Sequence, residues 1–139
     1  RAADAGRRRS ARRGGRAMIR VGTDLIEISR IEEAVDRWGQ RFLEKIFTEQ
    51  ERITYGERIP SLAARFAAKE AASKALGTGL MTEIPWTDIE ILSGPSGEPG
   101  LHLHDRAREK AEALGLNEWS LSLSHSGGHA LAVVVAIGK

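Results

Sequence analysis

Two acidic side chains in this 139-residue sequence have the chemistry and the setting of metal ligands. Asp24 follows the apolar stretch that begins at Met18, and Glu70 lies in the segment RFAAKEAASKALGTG, residues 65–79. Mg²⁺ commonly takes one or two carboxylates and completes its shell with water and substrate phosphate. The pair is therefore a candidate magnesium site for phosphoryl transfer. The plainer alternatives are a helix N-cap for Asp24 and a helical ion pair between Glu70 and Lys74.

The segment that carries Glu70 has the composition of a buried helix, because it is rich in alanine and other good helix formers. It nevertheless contains four charged residues, and it stops at Gly77-Thr78-Gly79. We expect this glycine-rich end to offer free backbone N–H groups and room for a ligand to approach. Lys74, one turn earlier, would offset the negative end of the helix dipole. An ordinary C-cap at Gly77 is the alternative.

A histidine near the C-terminus is the third candidate. His125 lies in SLSHSGG and has the parity of Leu121 and Leu123, so it belongs to the apolar face of a predicted strand. A histidine in that setting is more often a core residue than a functional one. Its position before the Gly127-Gly128 turn would nevertheless let the side chain reach a ligand.

The elements that position these residues follow from periodicity and turn signals. MIRVGTD predicts a short strand that ends in a glycine turn, and the next segment predicts an amphipathic helix with Ile28, Ile31, Val35 and Trp38 on one stripe. Thr48 and Glu51 have capping-box spacing, and Ser61 is a candidate N-cap for the long helix.

The C-terminal half predicts strands around one further helix. TDIEIL and LHLH flank a hairpin-type turn, a helix follows over 105–114, and the last two strands enclose Gly127-Gly128. HALAVVVAIG is continuously apolar, which predicts a strand buried on both faces. The order predicts an α+β fold with a mainly antiparallel sheet packed with helices, one unit per chain.

Charge and cysteine content narrow the functional classes. Residues 1–17 hold seven Arg and one Asp, which leaves 14 basic and 18 acidic groups and a net charge of −4 for residues 18–139. We expect 1–17 to be a disordered Arg-rich extension; its other interpretation is a nucleic-acid-binding arm, although it lacks aromatics to stack on bases. No apolar run is long enough to span a membrane. The chain has no Cys, which favours a reducing cytoplasm.

Together the three motifs resemble one family, the short-chain holo-acyl-carrier-protein synthases among the 4′-phosphopantetheinyl transferases. The residues that carry the resemblance are Gly22-Thr23-Asp24, the run from Phe66 to Gly79, and Ser122 to Ser126, in the family's order and spacing. The resemblance covers essentially all of residues 18–139, which it identifies as a phosphopantetheinyl transferase domain.

The resemblance implies transfer of 4′-phosphopantetheine from coenzyme A to a serine of apo acyl carrier protein, releasing 3′,5′-ADP, in fatty acid biosynthesis. It implies Asp24 and Glu70 as magnesium ligands, Glu70 and Lys74 as catalytic residues, and a homotrimer with active sites between subunits. The coenzyme A pocket would include Lys74 and the remaining implied contacts, Gly77, Thr78, Gly79 and His125. The charges of the long helix would then face a diphosphate. The serine needs a base, for which Glu70 and a metal-bound water are both candidates.

Acyl carrier proteins are acidic, so a basic docking surface is expected. Arg30, Arg37 and Arg41 would line one stripe if the first helix extends that far. A solvated helix face is the alternative interpretation of this stripe. Two other functions stay open from the residues alone: a magnesium-dependent nucleotide phosphohydrolase, and nucleic-acid binding through residues 1–17.

Overall fold

Five strands and five α-helices follow one another in the part of the chain that the computed structural model describes, residues 18–78 and 83–138. The extension 1–17 and Gly79 lie outside the described residues, so the expectations for them stay predictions. In chain order the elements are β1 (Met18–Glu27), α1 (Ile28–Trp38), α2 (Gln40–Ile46), α3 (Glu49–Tyr55), α4 (Ile59–Leu76), β2 (Ile89–Ser93), β3 (Pro99–Leu103), α5 (Asp105–Leu114), β4 (Leu116–Ser126) and β5 (His129–Gly138).

The strands form two antiparallel sheets. One has three strands in the order β1-β5-β4, and the other is the hairpin of β2 and β3. In the larger sheet Asp24 pairs with Ala132, which pairs with Leu123 on the far strand. This architecture confirms the predicted α+β class, the antiparallel pairing and the β2–β3 hairpin.

The alanine-rich helix α4 forms the centre of the core. Twelve of its 18 residues are buried, and it packs along the inner face of the three-stranded sheet. Small side chains permit this close approach, because alanine adds only one carbon to the thickness of the interface. On β5 the residues facing the core are fully buried: Ala130, Ala132, Val134 and Ala136.

The opposite face of the larger sheet is apolar and partly exposed. Ile19, Val21 and Leu25 on β1 are each more than half exposed, and Leu131 on β5 is also exposed. In the single chain, β5 is therefore buried on one face only, and the prediction of burial on both faces is wrong.

Two local predictions were wrong, one helix was not predicted, and one prediction was confirmed. The strand β1 does not turn at Gly22 but continues to Glu27. Helix α4 begins at Ile59, with Pro near its start and without a side-chain cap, so Ser61 is not the N-cap. The structure also has a helix, α2, that the sequence did not predict. Thr48 does form the predicted capping box with Glu51.

Helix α1 buries a narrower stripe than expected. Ile31 is buried and Ile28 and Val35 pack against the core, but Trp38 is 53% exposed. The helix ends at Trp38, and Gly39 adopts a positive φ of 55° that redirects the chain. Of the helices in the described residues, none is long and apolar enough to cross a membrane.

Candidate active site

The strand β1 lies in direct contact with helix α4 because Gly22 has no side chain. A Cβ built on Gly22 would lie 1.8 Å from the carbonyl oxygen of Ala71 and 3.2 Å from the backbone nitrogen of Ala75. Any side chain at this position would therefore force the two backbones apart. Alternation along the strand places Asp24, two residues later, on the same inner face, where it meets Glu70.

Asp24 and Glu70 form a pair of touching carboxyl groups. Burial raises the pKa of Glu70 to about 7, and the charge of Asp24 and a side-chain hydrogen bond with it act in the same direction. The positive charges of Lys74 and Arg30 oppose the rise. Two carboxylates in contact cannot both be ionised at low cost unless a proton or a cation lies between them.

This donor set fits a magnesium ion. The ligands are hard oxygens from two different elements, and both are at least partly shielded from water, with the Asp24 side chain 13% exposed. Magnesium sites typically use one or two carboxylates and leave the remaining positions for water and substrate phosphate. Within residues 18–78 and 83–138 no group of three or more His, Asp or Glu side chains could hold a metal ion, here or elsewhere, so this pair would supply two protein ligands only.

Lys74 bridges the helix to the strand rather than pairing along the helix. Its Nζ donates a hydrogen bond to the carbonyl oxygen of Thr23 at 2.8 Å and lies 3.4 Å from Oδ1 of Asp24. The side chain is half exposed. Its salt bridge is therefore with Asp24 rather than the helical ion pair with Glu70, although its charge still favours the ionised form of Glu70. Lys74 is positioned to contact an anion bound beside the carboxyl pair.

The other two charges of helix α4 do not face the site, which corrects the expectation that all its charges face a diphosphate. Lys69 is completely buried; its Nζ lies 2.8 Å from the carboxylate of Glu51 and donates to the carbonyl oxygens of Trp86 and Ile89. Burial lowers the pKa of Lys69, and the Glu51 carboxylate opposes that change. Glu51 also accepts the backbone N–H of Ile91 at 2.8 Å. This buried pair ties helices α3 and α4 to strand β2.

Arg65 has a similar structural role one turn earlier. Its guanidinium carbon lies 3.6 Å from the centre of the Tyr55 ring, and its terminal nitrogens donate to Ser61 and Ser93. The residue is buried. The cation therefore supports the packing of helix α4 against α3 and β2, and we place neither Arg65 nor Lys69 in the candidate site.

The end of helix α4 is a closed cap, contrary to the expectation of free N–H groups. Gly77 has φ 78° and donates its N–H to Lys74, while the N–H of Thr78 donates to the carbonyl oxygen of Ser73. The hydroxyl of Thr78 donates to the same oxygen. At Gly77 and Thr78, the backbone donors are thus already used within the helix end. Gly77 is still exposed, which leaves room for a ligand.

His125 is not brought into contact with the carboxyl pair within one chain. It lies on the inner face of β4 opposite Ala130, which pairs with Ile26 on β1. Two interstrand spacings therefore separate it from the strand that carries Asp24, about 10 Å. The side chain is exposed and has no hydrogen bond or ion pair to the described residues.

The predicted arginine stripe is interrupted. Arg30 and Arg37 lie on helix α1, but the helix ends before Arg41, which belongs to α2. The prediction that three arginines line a single helical stripe was therefore wrong. Arg30 lies near enough to Glu70 to affect its pKa, and the guanidinium carbon of Arg37 is 5.2 Å from the centre of the exposed Trp38 ring. Arg41 and Trp38 line a surface hollow of about 290 Å³ with Phe42 and Lys45.

The sequence alone did not reveal why a glycine is required at position 22, nor that Glu51 is the ion-pair partner of Lys69. Gly22 had been interpreted as a turn residue, and only the position of Ala71 reveals that it allows close packing. No local signal in the sequence connects these two positions. The capping-box glutamate, Glu51, was found, but its second function as the counter-ion of Lys69 depends on tertiary structure.

Comparisons with known proteins agree on one family. The model of the 4′-phosphopantetheinyl transferase superfamily matches residues 20–134. A holo-[acyl-carrier-protein] synthase of Herpetosiphon aurantiacus is 49% identical over 127 residues, which cover 87% of this chain and 100% of the relative. One from Dehalococcoides mccartyi is 50% identical over 119 residues, covering 86% and 98%.

Solved structures give the same result. Holo-[acyl-carrier-protein] synthase of Helicobacter pylori, in complex with coenzyme A, is 37% identical with a TM-score of 0.76 and covers 84% of this chain and 98% of its own. The acyl carrier protein synthase of Plasmodium yoelii with ADP bound has a TM-score of 0.80 at 26% identity, covering 88% and 98%.

Proposed function

The chain belongs to the 4′-phosphopantetheinyl transferase superfamily, and on that premise we propose that it is a holo-acyl-carrier-protein synthase. It transfers the 4′-phosphopantetheine group of coenzyme A to a serine of apo acyl carrier protein and releases 3′,5′-ADP. Relatives of that name match it at about half identity and over nearly their whole length. The observation that carries the proposal is the touching pair Asp24 and Glu70 beside Lys74, because it is suited to a metal and a diphosphate.

The reaction is a displacement at phosphorus. The serine oxygen forms a bond to the β-phosphorus of coenzyme A, the bond from that phosphorus to the bridging oxygen breaks, and the ADP oxygen takes the electron pair. The serine proton passes to a base. When bound, magnesium supplies electrophilic stabilisation of the diphosphate and its leaving group.

The chain's own residues would bind and orient. We assign Asp24 and Glu70 as the oxygen ligands that hold the metal, with the strand–helix contact at Gly22 fixing their separation. Lys74 supplies a positive charge beside them, and we place it against the phosphates, where it stabilises negative charge that increases during the transfer. Gly77 and Thr78 would line the coenzyme A pocket through their shape rather than through hydrogen bonds, because their backbone N–H groups already donate within the helix end.

The carrier protein would dock at the junction of helices α1 and α2. Arg37 and Arg41 provide positive charge there. Arg30 lies on the same helix as Arg37 and is close enough to Glu70 to influence the pKa of that carboxyl group. The exposed Trp38 adds the aromatic character that is common at protein interfaces. An acidic helix of a carrier protein complements this surface in charge.

We further propose a homotrimer with active sites between subunits. The support is the outer face of the three-stranded sheet, where Ile19 and Leu25 are 64% and 63% exposed beside other apolar side chains. An apolar sheet face of this kind is usually covered by a partner. In such an assembly His125 would contact the coenzyme A held by a neighbouring subunit, which accounts for its distance from the carboxyl pair of its own chain.

One experiment tests the activity. The protein is incubated with coenzyme A, Mg²⁺ and an apo carrier protein, and the intact mass of the carrier is followed. We expect a mass gain of one phosphopantetheine group that disappears with a chelator and with a carrier whose acceptor serine is replaced by Ala. Release of inorganic phosphate without a carrier would instead support the phosphohydrolase.

We propose fatty acid biosynthesis in the cytoplasm as the setting, which the cysteine-free composition suits.

A further inference from the structure

We propose that residues 1–17 act as a positively charged arm that attracts the acidic carrier protein to the enzyme. This inference rests on the proposed function and assigns a partner to a segment that the proposed function leaves unused. The segment reads RAADAGRRRSARRGGRA and contains seven Arg and one Asp. The model of the superfamily matches this chain only from residue 20 onward. The arm would therefore be a property of this chain rather than of the family.

The distribution of charge along the chain is the first observation. Residues 18–139 carry 14 basic and 18 acidic side chains, a net charge of −4, whereas residues 1–17 carry a net charge of +6. At long range, an acidic carrier protein would be repelled by the first group and attracted by the second. The whole chain has a net charge of +2. Residues 1–17 thus reverse the sign of the long-range interaction between enzyme and carrier.

The place where the arm joins the fold is the second observation. Met18 is the first residue of β1 and is 43% exposed. Helix α1, which carries Arg30 and Arg37 of the proposed docking surface, begins at Ile28, directly after β1. The ten residues of β1 have a length of about 33 Å, while a segment of 17 residues spans at most about 60 Å. The arm is therefore long enough to meet a carrier protein that approaches helix α1.

The composition of the arm favours a protein partner over a nucleic acid. Proteins that hold single-stranded nucleic acids usually stack the bases on aromatic side chains, and residues 1–17 contain no Phe, Trp or Tyr. An arm that accelerates encounter needs net charge and reach, because electrostatic steering acts before specific contacts form. Residues 1–17 have both properties, and the proposed reaction provides an acidic partner.

The experiment neutralises the arm without shortening the chain. One variant carries Arg→Gln at positions 7, 8, 9, 12, 13 and 16, which leaves one Arg and one Asp in the arm. The matched control carries Arg→Lys at the same positions and keeps the charge. Steady-state transfer is measured with the apo carrier protein and coenzyme A varied in turn. Measurements are made at about 0.01 M and about 0.15 M salt, where the Debye length is about 30 Å and about 8 Å.

We expect the Arg→Gln variant to lower kcat/KM for the carrier protein roughly tenfold at the lower salt concentration, the low end of the range for electrostatic steering. The loss should be much smaller at the higher concentration, because salt screens the arm. The KM for coenzyme A and the melting temperature should equal those of the wild type, since the elements that build the site begin at Met18. The Arg→Lys variant should match the wild type throughout.

Equal carrier kinetics in the wild type and the Arg→Gln variant at the lower salt concentration would overturn the proposal, as would an equal fall in kcat/KM for both substrates. Fluorescence anisotropy with a labelled DNA duplex provides the competing outcome. Binding of the duplex by the wild type that the Arg→Gln variant loses, with unchanged carrier kinetics, would assign the arm to nucleic acid instead. A wild type that never modifies the carrier protein would refute the proposed function itself.

Discussion

Replacing Gly22 with alanine should damage stability and transfer together, because one added carbon separates the two halves of the site. The new Cβ would lie 1.8 Å from the Ala71 oxygen, and ordinary contact begins near 3.4 Å, so strand β1 and helix α4 must separate by about 1.6 Å. The glycine is not among the residues with positive φ. The backbone conformation therefore accepts alanine, and the steric clash alone decides the outcome.

The magnitude follows from two opposing contributions. Overpacking a tight interface costs about 1–3 kcal/mol, and the lower entropy of an unfolded chain with alanine returns about 0.4–1 kcal/mol. We expect a net loss of about 1–2 kcal/mol, which for a domain of this size lowers the melting temperature by roughly 3–12 °C. Because Asp24 moves with the strand, and a displacement of about 1 Å at a reacting centre can cost about 100-fold, the transfer rate should fall by about that factor.

Gly100→Ala is the matched control. Gly100 also lies in a strand, β3, but a Cβ there would be 3.5 Å from the nearest atom, the carbonyl oxygen of Leu92. We expect its unfolding free energy and transfer rate to match the wild type within about 0.5 kcal/mol and twofold. Intact-mass time courses and thermal unfolding at a fixed protein concentration provide both measurements. Wild-type behaviour of Gly22→Ala, or equal damage in Gly100→Ala, would refute the close-packing argument.

Four further substitutions test the remaining assignments. Asp24→Ala should nearly abolish transfer at saturating Mg²⁺ while far-UV circular dichroism stays unchanged, because the metal loses one of two protein ligands; near-native turnover would contradict the assignment. Arg37→Glu should raise the KM for the carrier protein and leave the KM for coenzyme A constant in steady-state kinetics, and an equal effect on both would argue against docking there. Leu25→Glu should reduce the mass measured by light scattering, and a wild type that is already monomeric and fully active would exclude the trimer. Lys69→Met should lower the unfolding free energy in urea by about 3–5 kcal/mol, because Glu51 would remain buried without its counter-ion, whereas an unchanged midpoint would disprove the pair's structural importance.

The sequence correctly predicted the structural elements whose signals lie in neighbouring residues. The capping box at Thr48, the helix over 105–114 and the β2–β3 hairpin are present as predicted. The proximity of Asp24 and Glu70 was also predicted, from residue chemistry and from the resemblance of motifs in order and spacing, and the structure brings the two side chains into contact.

Two of the predictions that were wrong, the turn at Gly22 and the continuous arginine stripe, involve a glycine whose structural role the local sequence does not reveal. At Gly22 it was interpreted as a turn, yet it permits close packing against a residue 49 positions later. Gly39 ends helix α1, but the chain resumes at once as α2, which separates Arg41 from Arg37. At Gly22 the tertiary contact with helix α4, rather than local propensity, accounts for the glycine.

The charged residues of helix α4 have different roles because they point in different directions around the helix axis. Lys69 and Glu70 are consecutive and so point about 100° apart. Lys69 is held by Glu51 and by two backbone carbonyls near β2, which restricts the rotation of the helix and directs Glu70 toward β1. Gly22 sets the distance between helix and strand, and Lys69 sets the orientation of the helix. These two restraints together place Glu70 against Asp24, so a residue that never meets the substrate is needed to build the site.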